Sequence, residues 1–223
     1  MHPRGGCSLA RSALLVLAAC GSTPSSSPPA PPVPANGSSV GAPETWPIPA
    51  GWKHETIPFP LGFAPGIAHR GVEELRFAPG MFDPAAAGYW SYVFVWRTED
   101  AATLAAPILA AELTAYFRGL LAAVDEKDKR IANLDDIVVT ATGSGEGETK
   151  LTLAVHVIDA FKTGQPVDLT GWAQRTACGS GALWVFVMAP DRSGVREELD
   201  RLAGQAACGQ KLPVDKSPAS AER

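Results

Sequence analysis

The sequence predicts an α+β domain, a mainly antiparallel sheet of about six or seven strands with two packed helices. Three observations support this fold class. Apolar and polar residues alternate over 150–159, two segments (89–97 and 182–189) carry the continuous apolar character of central strands, and two further segments have apolar residues at helical spacing. Most strands follow one another in hairpin order, which favours antiparallel pairing and helices packed on one sheet.

The first three strands are predicted at 55–59, 72–77 and 89–97. The first can only be an edge strand, because Pro58 has no amide to donate to a ladder. The third has large aromatic residues on one face and valines on the other, so it should be central and covered on both sides. Its aromatic face comprises Trp90, Tyr92, Phe94 and Trp96.

A long helix should follow the third strand. Glu99 and Asp100 lie near its expected start, where acidic residues suit the helix dipole, and Pro107 fits its first turn. The charged run 125–130 is expected to end it as a solvated segment. The expected apolar face comprises Ile108, Ala111, Leu113, Ala115, Phe117, Leu120, Leu121 and Val124.

The second half of the domain reads as further strands and a closing helix. Residues 137–141 and 150–159 form a predicted hairpin with its tip at 143–147, and strands at 167–176 and 182–189 follow. The closing helix is expected to begin after Ser193 as its N-cap. Its apolar stripe comprises Val195, Leu199 and Leu202.

Two cysteines are predicted to form a disulfide. Cys178 precedes a strand and Cys208 ends the helix that returns from it, so both should lie at the same end of the domain. Free buried thiols or a redox or metal pair are the alternatives, but the chain has no CxxC motif and no zinc-type spacing.

The N-terminus has the features of an export signal. Arg4 and Arg11 supply positive charge, and the apolar run 13–19 is far shorter than the ~20 residues that span a bilayer. The sequence therefore predicts a cleaved signal at residues 1–19 rather than a permanent transmembrane segment. Cleavage there would also remove Cys7.

The residues around the cleavage position, Leu17-Ala18-Ala19-Cys20 followed by Gly21-Ser22, resemble the lipobox of bacterial lipoproteins. The resemblance implies that Cys20 carries a diacylglycerol and an N-acyl chain such as palmitate, which makes the lipid bilayer its partner. Without Asp after the cysteine, it also implies the outer membrane, facing the periplasm. An ordinary secretory signal with Cys20 as a bystander is the alternative.

Composition divides the rest of the chain. Residues 20–45 form a Pro- and Ser-rich tether expected to be disordered, 46–213 a single domain, and 214–223 a disordered tail. Removing the first 19 residues takes away two arginines and no acid, so the net charge changes from −4 to −6. A mildly acidic chain is not expected to bind nucleic acid.

No catalytic motif stands out. Glycine-flanked Ser144 and Ser180 do not sit in a nucleophile elbow, and no phosphate-binding glycine loop is present. The three histidines after the signal, His54, His69 and His156, have no metal-binding spacing, so no cofactor or metal is predicted. A site combining them with Glu73 or Asp83 stays an alternative.

Six aromatic residues are the remaining candidates for ligand contact. They could line an apolar groove for a lipid, peptide or glycan, although aromatics at strand spacing are more often part of a core. The six are Trp46, Phe59, Phe63, Phe77, Phe82 and Trp90.

The domain as a whole also resembles uncharacterised secreted bacterial proteins. The resemblance rests on Gly71–Gly80, Tyr89–Tyr92 and Tyr116–Leu120, and it implies one coherent domain without assigning a function. The sequence therefore predicts a lipid-anchored protein of the cell envelope with a non-enzymatic binding or structural domain. Its partner would be a protein, an apolar ligand or cell-wall material. The alternative is a hydrolase-like enzyme with an unfamiliar site using His54, His69 or His156.

Overall fold

One antiparallel sheet of seven strands organises the computed structural model, which describes residues 43–101, 105–143 and 149–213. The predicted signal, Cys20, most of the tether, the hairpin tip and the tail lie outside the described residues. The spatial order of the strands is β1-β2-β3-β7-β6-β5-β4. Their bounds are β1 Lys53–Pro58, β2 Gly71–Phe77, β3 Tyr92–Thr98, β4 Val138–Thr142, β5 Lys150–Ile158, β6 Pro166–Cys178 and β7 Gly181–Ala189.

Two meanders, β1-β2-β3 and β4-β5-β6-β7, join where β3 pairs with β7. Phe94 lies opposite Phe186 at this junction, with ring centroids 4.3 Å apart and nearly parallel planes. Both rings are fully buried. The prediction of an α+β antiparallel sheet with two helices is confirmed, and the two strands with apolar residues on both faces are the central ones.

The first helix, α1, spans Ala106–Val124 and covers one face of the sheet. By length and composition it could cross a membrane, but it packs on the sheet as a core helix. Its buried residues are Leu109, Leu113, Tyr116, Phe117 and Leu121, which share one stripe. Ile108, expected on the apolar face, is instead half-exposed.

Both ends of α1 differ from the prediction. The helix begins at Ala106 with Pro107 in its first turn, so Glu99 and Asp100 precede it and no acidic residue lies in that turn. At the other end, Asp125 is buried rather than solvated. Its carboxylate accepts the backbone amides of Arg130 and Ile131, which folds the charged run back onto the helix end.

The second helix, α2, spans Arg196–Ala203 and packs on the opposite face, against β3 and β7. Leu199 and Leu202 are buried there, as expected from their spacing. The N-cap is Val195, without a side-chain cap, so the prediction of Ser193 in that role is wrong. The hydroxyl of Ser193 instead bonds to the hydroxyl of Ser91, 2.8 Å away, and ties the loop before α2 to the sheet.

Residues before β1 are held on the α2 face by a buried arginine. Arg76 of β2 is fully buried, and its guanidinium lies 4.2 Å from the ring centroid of Trp46. It donates to the carbonyls of Trp46 and Pro47, while the Trp46 indole donates to the carbonyl of Leu202. Its charge is balanced by Glu74, 3.1 Å away, which also pairs with Arg97. We refer to these contacts as the Arg76 clamp.

The disulfide between Cys178 and Cys208 closes the same end of the domain, with Cα atoms 5.5 Å apart. Cys178 is the last residue of β6, and Cys208 lies beyond α2. Lys211 follows closely, donates its backbone amide to the carbonyl of Glu44 and pairs with the Glu44 carboxylate. The chain segments on either side of the domain core therefore run side by side here.

Candidate ligand pocket

An apolar pocket of about 200 Å³ opens between α1 and the β1-β2-β3 half of the sheet. We call it the aromatic pocket, because seven of its thirteen lining residues are aromatic. They are Phe63, Phe77, Phe82, Trp90, Tyr92, Tyr116 and Phe161. The others are Glu55, Ile57, Leu75, Met81, Leu120 and Val124.

Strand register explains why three strands contribute residues to the aromatic pocket. Leu75 lies opposite Glu55 on one side and Phe94 on the other, and Phe77 lies opposite Tyr92. Directly opposed residues point to the same face of a sheet, so these side chains all project toward α1. The sheet therefore forms the floor, and Tyr116, at the middle of α1, faces it.

Loops complete the walls of the pocket. Phe82, between β2 and β3, packs against Phe161, between β5 and β6, with ring centroids 4.9 Å apart. The ring of Trp90 lies 5.6 Å from the same Phe161 ring. Trp90 itself has φ +50, a conformation uncommon for a residue with a side chain. Its amide donates to the carbonyl of Met81, so the loop is closed on itself next to the pocket.

Asp159 holds the loop that carries Phe161. This carboxylate is buried and accepts the backbone amides of Phe161 and Thr163. It also accepts the hydroxyls of Thr163 and Tyr89. Burial alone would raise the pKa of Asp159, but these hydrogen bonds outweigh it and lower the pKa. The Phe161 wall is therefore fixed by an ionised side chain at neutral pH.

A close approach of backbone and helix places Phe63. A Cβ at Gly119 of α1 would lie 1.9 Å from the carbonyl oxygen of Phe63, so only glycine allows the loop to come this near. The Phe63 ring then packs edge-on against Tyr116, with centroids 5.1 Å apart. Gly119 thus sets the position of one aromatic wall.

A buried carboxyl group, Glu73, lies on the same face of β2 as Leu75. Its neighbour Trp96 donates the indole N–H to Oε1 at 3.0 Å, while Oε2 has no hydrogen-bond partner among the described residues. Burial raises the pKa of Glu73 to about 7, and the charge of Glu55 adds to this. Trp96 and the Tyr116 phenol oppose the rise. A carboxyl that titrates near neutrality next to a pocket is unusual in a purely structural role.

His69, in the loop before β2, lies next to Trp96 and contacts α1. Its Nε2 lies 3.1 Å from Glu112 of α1, its Nδ1 lies 3.5 Å from Asp100, and its ring centroid is 5.7 Å from that of Trp96. The hydrogen bond with Glu112 raises the pKa of His69 against the opposing effect of burial. This histidine fastens the first half of α1 to the sheet.

The structure does not bring the three candidate histidines together. His54 is exposed on the edge strand β1, whereas His156 lies on the face of β5 away from α1 and contacts Asp168 at 2.6 Å. Neither Glu73 nor Asp83 joins them, and the described residues contain no group of three or more side chains suited to a metal ion. A site built on convergence of His54, His69 and His156 is therefore not formed.

Four of the six aromatic candidates line the aromatic pocket: Phe63, Phe77, Phe82 and Trp90. The other two do not. Trp46 belongs to the Arg76 clamp on the opposite face, and Phe59 packs between His69 and Trp96. A larger depression of about 530 Å³ near Arg192 is more open to solvent and is lined by a mixture of proline and polar residues.

Sequence reasoning missed part of the pocket. Tyr116 and Phe161 come from elements outside the aromatic strand, and the sequence indicated Glu73 only as a possible partner of the histidines, not as a buried acid next to an aromatic pocket. The sequence did contain one signal, two adjacent acids inside an apolar strand. Adjacent strand residues point to opposite faces of the sheet, so one of the two acids must lie on the core face.

Comparison of the chain with protein-family models, with curated proteins and with solved structures gave no significant match.

Proposed function

We propose that this protein is a lipid-anchored protein of the bacterial cell envelope whose domain binds a small apolar group in the aromatic pocket. Binding, rather than turnover, is the proposed role. Cys20 would carry the acyl chains, residues 20–45 would act as the spacer, and the domain would face the periplasm or the cell exterior.

The aromatic pocket is the observation that carries the binding function. It combines aromatic walls with a volume of about 200 Å³ that the core side chains leave unfilled. Well-packed protein interiors hold few voids larger than a water molecule. An apolar cavity of roughly 150 Å³ is enough to hold a benzene ring. One aromatic ring or one short branched alkyl group is therefore the expected occupant.

Two features support a location outside the cytoplasm. The lipobox-like residues ending in Cys20 supply an attachment point, and several acyl chains on one residue give stable membrane binding. The bond between Cys178 and Cys208 is of a kind that persists in oxidising compartments and is rare in the cytosol.

Indole binding to the purified full-length protein tests the pocket. We expect saturable binding, with NMR chemical-shift changes centred on Phe82, Tyr92 and Tyr116. Leu120→Trp should abolish it, because the larger side chain projects into the pocket from α1. Ile108→Trp is the matched control, since Ile108 is half-exposed on the same helix outside the pocket.

The comparison is valid only for folded variants, so thermal unfolding of both is measured alongside. Absence of indole binding to the wild type, or binding that Leu120→Trp leaves intact in a folded protein, would refute a ligand pocket at this position.

Cys20→Ser tests the anchor. The wild type expressed in a bacterial host should incorporate labelled palmitate and sediment with membranes, whereas the variant should do neither and should be recovered in a soluble fraction. A variant that sediments with membranes as the wild type does would contradict acylation at Cys20.

A further inference from the structure

The aromatic pocket is bordered by negative charge. Glu55 is one of its lining residues and carries its carboxylate at the solvent-exposed strand β1. Glu73 lies opposite Ile57, another lining residue, and belongs to the same sheet face. Since Glu55 lies opposite Leu75 and Glu73 lies opposite Ile57, the two acidic residues are diagonal neighbours on the same face of the sheet.

The lining contains no positively charged residue to balance these acids: Glu55 is its one charged member among the described residues. Inside the wall, Oε2 of Glu73 is fully buried and lacks a hydrogen-bond partner in the described part of the chain. A buried carboxylate without compensation is costly, and a nearby cation would reduce that cost.

Aromatic faces also attract cations, through the negative potential above the ring. The structure shows this attraction at the edge of the pocket, where the Nζ of Lys53 lies 5.7 Å from the centroid of Phe82. Lys53 is an exposed residue at the start of β1, outside the lining. Its own ammonium therefore marks a place where positive charge is favoured.

We propose that the occupant of the aromatic pocket is a small organic cation, a substituted ammonium carrying a short apolar group. This inference rests on the proposed binding function and specifies its ligand. The apolar part lies among Phe82, Trp90 and Tyr116, and the ammonium is directed toward Glu55 and the side of the wall that contains Glu73. A phosphate-bearing lipid headgroup is disfavoured, because the lining contains the acid Glu55 and no basic residue, and the ammonium of Lys53 lies outside the lining at the edge.

Binding of the cation should strengthen as pH rises. Glu73 titrates at about pH 7, mainly through burial, so most molecules carry its negative charge at pH 8 and few at pH 5. The charged and titratable groups that face Glu73 are Glu55 on β1, Tyr92 on β3 and Tyr116 on α1. The pKa of His69 is raised by its hydrogen bond with Glu112, and His69 loses its positive charge as the pH rises through that pKa, which acts in the same direction for a cationic ligand.

Choline and its neutral isostere 3,3-dimethylbutan-1-ol provide the test, because they differ in charge and hardly in shape. Calorimetric or NMR titration of the full-length protein at pH 8 should show choline binding about tenfold more tightly than the alcohol. Choline affinity should fall about tenfold between pH 8 and pH 5, while that of the alcohol should stay constant.

Three variants locate the effect. Glu55→Gln and Glu73→Gln should each weaken choline binding by a larger factor than they change binding of the alcohol, and Glu73→Gln should also remove most of the pH dependence. Lys53→Gln should strengthen choline binding, because it removes a competing ammonium at the edge of the pocket. Glu126→Gln is the control, since Glu126 is an exposed acid outside the lining.

The outcomes separate the two proposals. Equal affinity for choline and the alcohol, both lost in Leu120→Trp, would overturn the cationic ligand and keep the pocket. Binding of neither compound, together with no binding of indole, would overturn the pocket and the cation at once. Tighter binding of phosphatidylcholine vesicles than of free choline would also contradict the inference, because it would require a phosphate contact that the lining does not offer.

Discussion

Replacing Glu73 by glutamine should stabilise the domain at alkaline pH and leave it nearly unchanged at acidic pH. Glu73 is fully buried, and one of its oxygens has no hydrogen-bond partner among the described residues. The neutral acid is tolerated there, but the carboxylate is not solvated. Glutamine keeps the carbonyl that accepts the Trp96 indole N–H and cannot ionise.

The magnitude follows from the pKa of Glu73, which burial raises from 4.5 to about 7 on folding. A carboxyl whose pKa is higher in the folded state holds its proton more tightly there. Its stabilising contribution is therefore complete below about pH 4.5 and is lost as the pH rises through 7. Since each pKa unit corresponds to about 1.4 kcal/mol, the loss between pH 5 and pH 8 is about 2–3 kcal/mol.

Urea unfolding at pH 5 and pH 8, with the disulfide intact, measures this quantity. The free energy of unfolding of the wild type should fall by about 2–3 kcal/mol between the two pH values through Glu73 alone. The pKa of His69 is also raised, by its hydrogen bond with Glu112, so its contribution is likewise lost as the pH rises. That part should persist in Glu73→Gln.

The exposed acid Glu126 again supplies the matched control, and Glu126→Gln should reproduce the pH dependence of the wild type. The reasoning is refuted if Glu73→Gln shows the same decrease in unfolding free energy between pH 5 and pH 8 as the wild type. It is equally refuted if the variant is destabilised at pH 8.

Three further predictions concern stability. Asp159→Ala should lower the free energy of unfolding in urea by about 3 kcal/mol, because it leaves several amide and hydroxyl donors unpaired. A loss below about 1 kcal/mol would contradict a stabilising role for the hydrogen bonds to Asp159. Replacing Cys178 and Cys208 together by serine should cost about 3–4 kcal/mol in the same assay, and an unchanged midpoint would show that the bond does not form in the protein. Gly119→Ala should cost about 1–3 kcal/mol and weaken indole binding by displacing Phe63, whereas unaltered binding would show that this contact does not shape the pocket.

Most strand positions were predictable because their signals are local, although β3 begins at Tyr92, so Trp90, expected on its aromatic face, lies in the turn before it. The alternation of Leu151, Leu153 and Val155 with polar residues defines which face of β5 is buried, and no distant contact is needed to read it. Proline in β1 likewise assigns that strand to the edge. The same local logic paired Cys178 with Cys208 from a strand and a returning helix.

Helix ends were harder to predict because tertiary contacts determine them. Asp125 reads as part of a solvated charged run, but it is buried because the following chain folds back and donates two amides to it. Ser193 reads as an N-cap, yet its hydroxyl is engaged by Ser91, which lies 102 residues earlier. In both cases the side chain bonds to a partner outside the helix instead of taking the position that the local sequence predicts.

The aromatic pocket depends on contacts that no periodicity reports. Phe161 reaches the pocket from the loop between β5 and β6, two strands that follow β7 in the spatial order of the sheet. Tyr116 reaches it from α1, which follows β3 and precedes β4 in the sequence. The aromatic stripe of β3 was visible in the sequence, but whether it would be fully covered or would leave a space depends on the volumes of side chains from seven different segments. Only the three-dimensional structure shows whether such a space remains.

The Arg76 clamp is one of the contacts through which a pulling force on the residues before β1 would be transmitted to the sheet. A pull on residues 43–47 acts on two sets of contacts: the pairing of Glu44 with Lys211 near the disulfide, and the hydrogen bonds that Arg76 donates to Trp46 and Pro47. The Arg76 contacts lie on the face of the sheet opposite α1. Tension on the chain before β1 would therefore act on residues that do not line the aromatic pocket.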